Sequence, residues 1–175
     1  MRVVAGAFKG RRLEAPPGRD TRPTSDRVRE ALFQVLGPLD GFAALDLYAG
    51  SGALGIEALS RGAASAAFVE TDPRALAAIR RNLEKIGVEA AVHSRDALEF
   101  LERAGGDSFD LVLIDPPYSS AQSLAGRLSE LVPRVTSQDA LIVTESTKRE
   151  PLELTLPLAD ERIYGDTRIA IHRAT

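Results

Sequence analysis

From Phe42 onward the chain alternates, without a break, between short apolar runs and amphipathic stretches. "FAALDLYA", "AAFVETD", "EAAVHSRD", "FDLVLIDPP" and "DALIVTES" read as five strands. Between them "ALGIEALSRG", "PRALAAIRRNLEKIG", "ALEFLERAG" and "AQSLAGRLSELVP" read as helices, the second with Pro73 in its first turn. Strands joined through helices run parallel, and a parallel sheet needs helices over both faces. The tail "ERIYGDTRIAIHRA" departs from this pattern: two strand-like runs meet at Gly165-Asp166, which predicts an antiparallel terminal hairpin. The expected class is therefore α/β with a mostly parallel sheet, and 175 residues at 44% apolar content suit one such domain. Folds of this kind bind ligands at the carboxyl ends of their strands, near the switch in strand order.

The first forty residues look different. "RVVAGAFKGRRLEAPPG" suggests a short β-hairpin ended by Pro16-Pro17-Gly18. "RDTRPTSDRVREALFQVLG" reads as an arm followed by a helix, capped by Ser25 or Thr24 and stopped at Gly37-Pro38. Val28, Leu32, Val35 and Leu36 share one face at helical spacing. Residues 1–40 are expected to form an extension within the same domain as residues 41–175. Net charge is -3, yet residues 1–30 hold eight Arg and Lys against four Asp and Glu. A basic arm on an acidic body suits a phosphate-bearing partner. Lys9, Arg11 and Arg12 on the hairpin, with Arg22, Arg27 and Arg29 on the arm and its helix, are the candidate nucleic-acid contacts. The alternative is that some of them pair with Asp20, Asp26 or Glu30 and only stiffen the arm.

Several function classes drop out. The absence of cysteine excludes disulfides, thiolate metal sites and thiol nucleophiles. No His/Asp/Glu group has metal-ligand spacing, and neither His93 nor His172 has a catalytic partner in sight. No apolar run approaches a membrane span, and the start is too short and interrupted by Lys9 to be a signal peptide. A cytoplasmic protein is expected.

Gly50-Ser51-Gly52-Ala53-Leu54-Gly55 lies between a strand and a helix and matches G-x-G-x-x-G, a pattern that dinucleotide enzymes share. Three acids sharpen the reading. Asp46, inside the strand before the loop, needs donors: the loop's own N–H groups or a ligand ammonium. Glu70 ends the next strand, where a carboxylate can accept from both hydroxyls of a ribose. Asp96 follows the third strand and can accept from an adenine amine or cap the next helix. Asp72 before Pro73 reads as a cap. Acids at the ends of three successive strands suit a cationic adenosine and oppose a pyrophosphate, which favours S-adenosylmethionine over a nicotinamide dinucleotide.

The strand "FDLVLI" stops at Asp115-Pro116-Pro117-Tyr118. By itself this is either a terminating turn or a pocket for a flat, NH-bearing ring. After a glycine loop and Glu70 at these spacings, the pocket reading prevails.

"LDLYAGSGALGIEAL", "FVETD", "SRDA" and "DPPY", in that order, resemble the successive motifs of class I S-adenosylmethionine-dependent methyltransferases. With "KGRRL" and "RPTSDRVREALF" upstream, nearly the whole chain is similar to the RsmD family, the 16S rRNA (guanine(966)-N(2))-methyltransferases. The resemblance implies a Rossmann-like, seven-stranded sheet with a small N-terminal extension. It implies a cofactor site at Asp46, Gly50, Gly52, Glu70, Thr71, Asp96 and Ala97, and an amine pocket at Asp115, Pro116, Pro117 and Tyr118. It further implies 16S rRNA in the small ribosomal subunit as partner, a monomeric enzyme, and no metal. Competing expectations are another amine methylator, acting on DNA adenine-N6 or protein glutamine-N5, and a silent RNA-binding assembly factor.

Overall fold

Every apolar run of the alternating region becomes a strand in the computed structural model, which describes residues 1–17, 25–106, 108–117 and 121–174. The elements are α1 (Asp26–Leu36), β1 (Ala43–Leu47), α2 (Ala53–Ser60), β2 (Ser65–Glu70), α3 (Pro73–Ile86) and β3 (Ala91–Ser94). They continue as α4 (Ala97–Arg103), β4 (Phe109–Ile114), α5 (Ala121–Leu131), β5 (Thr136–Thr147), β6 (Leu158–Tyr164) and β7 (Thr167–Arg173). One seven-stranded sheet has the order β3-β2-β1-β4-β5-β7-β6. Strands β1 to β5 pair in parallel, and β7 runs antiparallel to both β5 and β6. The order reverses direction between β1 and β4, so a crevice opens at the carboxyl ends of those two strands.

Side chains alternate across the sheet with period two. Ala44, Leu111, Leu113 and Val143 enter one core, under α1, α2 and α3. Leu45, Leu47, Val112, Ile114 and Ile142 enter the other, under α4 and α5. Because both faces are buried, these strands are apolar throughout, and a carboxylate within them has to be held by a specific donor.

The helix ends follow local chemistry. The Ser25 hydroxyl accepts from Val28 N–H at 3.2 Å and caps α1; Thr24 lies outside the described residues. Asp72 caps α3 by accepting from Arg74 N–H at 2.8 Å, with Pro73 at the first helical position. On α1 the buried face is Val28, Arg29, Leu32 and Phe33, and Val35 is left 39% exposed, contrary to the expected stripe.

The expected N-terminal hairpin shrinks to one antiparallel bridge, Arg2 with Arg12, flanked by bonds from Val3 N–H to the Arg11 carbonyl and from Leu13 N–H to the Met1 carbonyl. The reason is competition for backbone donors. Val4 and Ala5 give their N–H groups to the Glu57 carboxylate, and Ala7 and Phe8 give theirs to Ser60. Val3 and Leu13 still enter the first core, so the segment packs as part of the α/β body.

Candidate active site

The glycine loop leaves β1 and turns into α2 at the edge of the crevice. Gly55, inside α2, lets that helix close on the sheet by its lack of a side chain: a Cβ there would lie 2.4 Å from Phe68 Cε1. That close approach delivers Gly55 N–H to Asp46 Oδ2 at 2.8 Å. Asp46 is only 2% exposed. Burial pushes its pKa up to about 8; the Gly55 hydrogen bond pulls the other way, and the charge of Glu70 adds to the rise. Glu70, also buried, accepts from Gly50 N–H at 2.9 Å, Thr71 N–H at 2.8 Å and Asp72 N–H at 3.0 Å. One carboxylate at the end of β2 thus sets the entrance of the loop and the start of α3 together.

Asp96 lies past β3, exposed, and caps α4 by accepting from Leu98 and Glu99 N–H at 2.9 and 3.2 Å. The cap reading of this residue holds in the geometry. Thr71 is exposed, whereas the Ala97 methyl is turned into the second core. Tyr48 is a residue that the motif reading passed over. Its φ of 62° puts a bulky side chain in the left-handed region, a strained conformation. Its hydroxyl is buried with no hydrogen-bond partner among the described residues, and burial, followed by the charge of Asp96, raises its pKa.

Asp115 follows β4 directly and shares the face of Leu111 and Leu113, the face of Asp46 on β1. Pro116 is buried and Pro117 exposed; Tyr118 lies outside the described residues. The register pairs Ile114 with Thr144, so one step further Asp115 meets Glu145 of β5. Glu145 is 4% exposed and was not singled out from the sequence. A signal was present: two residues beyond inward-facing Val143, at the carboxyl end of a core strand, stands an acid. Burial first, then the charges of Glu145 and Asp46, raise the pKa of Asp115 well above the ordinary carboxylate range. The crevice therefore gathers Asp46, Asp115 and Glu145 on one face of three adjacent strands, a site that attracts cations and N–H donors.

The basic residues divide. Lys9, Arg11, Arg12 and Arg27 are exposed, Arg11 reaching the Lys85 carbonyl at 3.5 Å. Arg22 lies outside the described residues. Arg29 corrects the sequence reading: it is fully buried, pairs with Asp26 at 2.8 Å and Glu57 at 3.5 Å, and donates to the Arg2 carbonyl. It ties α1 to α2 and the N-terminal segment, and its side chain is closed to a nucleic acid. His172 is buried with Nδ1 3.1 Å from the Leu156 carbonyl, a structural placement.

A family model described as conserved hypothetical protein 95 matches residues 1–173. The putative rRNA methyltransferase YlbH of Bacillus subtilis is 38% identical over 182 residues, covering 99% of this chain and 98% of its own. Ribosomal RNA small subunit methyltransferase D of Haemophilus influenzae is 36% identical, covering 87% of this chain and 81% of its own. Among solved structures, the putative methyltransferase yhhF of Escherichia coli superposes with a TM-score of 0.86 at 34% identity, covering 99% of this chain and 97% of that one. The chain belongs to the RsmD family. Its fold is the Rossmann-like class I methyltransferase fold, and its cofactor is S-adenosylmethionine. The residues present fit that cofactor. The acids at the ends of β1 and β2 and at the start of α4 suit a cationic adenosine, and the run from Asp46 to Gly55 contains no Lys or Arg for a pyrophosphate.

Proposed function

We propose that this RsmD-family enzyme transfers a methyl group to the exocyclic N2 amine of a guanine in small-subunit 16S rRNA, with guanine 966 as the target during subunit assembly. The observation that carries the reading is Asp115, a carboxyl placed at the open end of β4 and followed by two prolines. The names of the Bacillus and Haemophilus relatives support an rRNA substrate.

The guanine N2 amine is a poor nucleophile because its lone pair is delocalised into the ring. Ionised Asp115 offers only acceptors and takes one N–H. The Pro116 carbonyl, oriented by the fixed φ of its ring, takes the other. Two acceptors on one nitrogen favour its pyramidal form and turn its lone pair out of the ring plane. The bound cofactor supplies a sulfonium methyl that is already activated. The protein's contribution is then alignment and proximity, with the ionised Asp115 carboxylate favouring the charge that grows on the nitrogen. Tyr118 offers a ring face for the extruded base. Asp46, Glu70 and the glycine loop hold the cofactor, and Asp96 faces its adenine. In this division of labour residues 1–40 hold the RNA through Lys9, Arg11, Arg12, Arg22 and Arg27, and residues 41–175 carry out the transfer as a monomer.

The test offers labelled S-adenosylmethionine with unmethylated small subunits, protein-free 16S RNA, duplex DNA and a glutamine-bearing peptide in parallel. Label confined to the ribosomal material is expected. Label in DNA or peptide would keep the amine pocket and replace the substrate. Cofactor binding without transfer to any acceptor would make the chain an RNA-binding factor.

A further inference from the structure

Asn82 is the only asparagine of the chain, and it sits fully buried in the apolar stripe of α3 with Ala75, Ala78, Ile79, Leu83 and Ile86. A buried amide is costly unless its bonds are made. Asn82 makes three. Its Oδ1 accepts from Glu14 N–H at 2.8 Å, and its Nδ2 donates to the Glu14 carbonyl at 3.0 Å and to the Ser51 carbonyl at 2.9 Å. Glu14 lies two residues past Arg12, in the basic N-terminal segment. Ser51 lies inside the glycine loop. The pairing with Glu14 is two-way, as a neighbouring strand would make it. The Ser51–Gly52 peptide is held on both sides, its carbonyl by Asn82 and its N–H by the Ala49 carbonyl at 2.7 Å.

A second tie joins the same parts. Glu57 of α2, the helix that the glycine loop opens, accepts from Val4 and Ala5 N–H at 2.8 and 3.0 Å. Glu57 is itself fully buried and paired with Arg61 at 2.8 Å. At Gly6 the contact is so close that a Cβ would fall 1.7 Å from the Ser60 carbonyl oxygen. The segment carrying Lys9, Arg11 and Arg12 is thus fastened by its backbone to the loop and helix of the cofactor site, while those three side chains stay exposed.

We propose that Asn82 is a positioning residue that links the two sites: cofactor in the glycine loop favours the docked N-terminal segment, and RNA held by that segment favours the loop geometry that binds cofactor. The coupling is reciprocal by thermodynamic necessity, because both ligands bias one arrangement. The cofactor half stands on the bonds above; the RNA half rests on the function proposed for the segment.

Amide hydrogen exchange on the full chain separates the two. Saturating wild-type protein with S-adenosylhomocysteine should slow exchange at Val4, Ala5 and Glu14 by roughly fivefold or more, with no RNA present. In Asn82→Ala, at a cofactor concentration that still saturates, the slowing at Glu14 should vanish. Small-subunit RNA should tighten cofactor binding by a similar factor in wild type, about fivefold, and not in Asn82→Ala. A residue that only stabilised the fold would lower the thermal transition and leave that coupling factor unchanged. Unchanged exchange at Glu14 in cofactor-saturated wild type overturns the link even where the variant cannot be purified, and so does undiminished slowing in Asn82→Ala. Cofactor-dependent slowing without any RNA binding would uphold the link and count against the proposed substrate.

Discussion

In the proposed transfer Asp115 must be ionised to present two purely accepting, negatively charged oxygens to the amine, and its surroundings work against ionisation. Burial and the charges of Glu145 and Asp46 keep its proton on to a higher pH than an ordinary carboxylate. Transfer should therefore fall on the acid side with a midpoint above the unperturbed value of about 3.9. Glu145→Gln removes the nearest like charge, so the acid limb should move to lower pH. The check is kcat/KM against pH for both proteins; an unmoved limb would mean that the titrating group is not Asp115. At this scale strand-end position marks Asp46, Glu70 and Asp115 as candidates, because an acid in an apolar run stands out. Arg29 was misread because a charged residue in a basic arm looks solvated. Its burial depends on Glu57, 28 positions away, which no local pattern connects to it. Asn82 carried a usable signal, an amide at a core position of an amphipathic helix.

Helix α2 shows how an element sets the site. It lies close enough to the sheet to give Gly55 N–H to Asp46 only because position 55 has no Cβ. Gly55→Ala should lift the helix, lower stability by about 1–3 kcal/mol as other overpacked cores do, and weaken cofactor binding. Denaturant unfolding and calorimetric titration would read both effects; retained affinity at reduced stability would detach the helix position from the cofactor site. The βα alternation made these elements readable, since period and breakers mark them directly. The N-terminal hairpin was not readable in the same way. Its sequence alternates like a strand, yet four of its N–H groups go to Glu57 and Ser60 of α2, a tertiary competition that propensity does not register.

For the whole molecule, the site's acids set a pH dependence of stability. Asp46 keeps its proton in the fold up to about pH 8, whereas an unfolded aspartate loses it near about 3.9. Between those values unfolding releases a proton, so the contribution of Asp46 to stability should be greatest below the lower value, fall as pH rises, and level off above about 8. Asp46→Asn, free of the charge, should be the more stable protein at pH 8 and the weaker cofactor binder. Thermal unfolding at pH 5 and 8 with a parallel titration tests this; equal stability at both values would place the ionised form in the fold. The charge asymmetry of the sequence makes a second prediction. Arg11→Glu with Arg12→Glu should weaken RNA binding and flatten its log–log salt slope by roughly 0.7 for each lost phosphate contact. An unchanged slope would return both arginines to ordinary surface. The most direct measurement is mass analysis of nucleosides from unmethylated small subunits after reaction with wild type and with Asp115→Ala, whose cofactor affinity is checked separately. N2-methylguanosine is expected as the new nucleoside with wild type, with a rate lower by roughly 10²–10⁴-fold in Asp115→Ala at nearly unchanged cofactor affinity. A methylated adenine or cytosine, or undiminished product from Asp115→Ala, would contradict it.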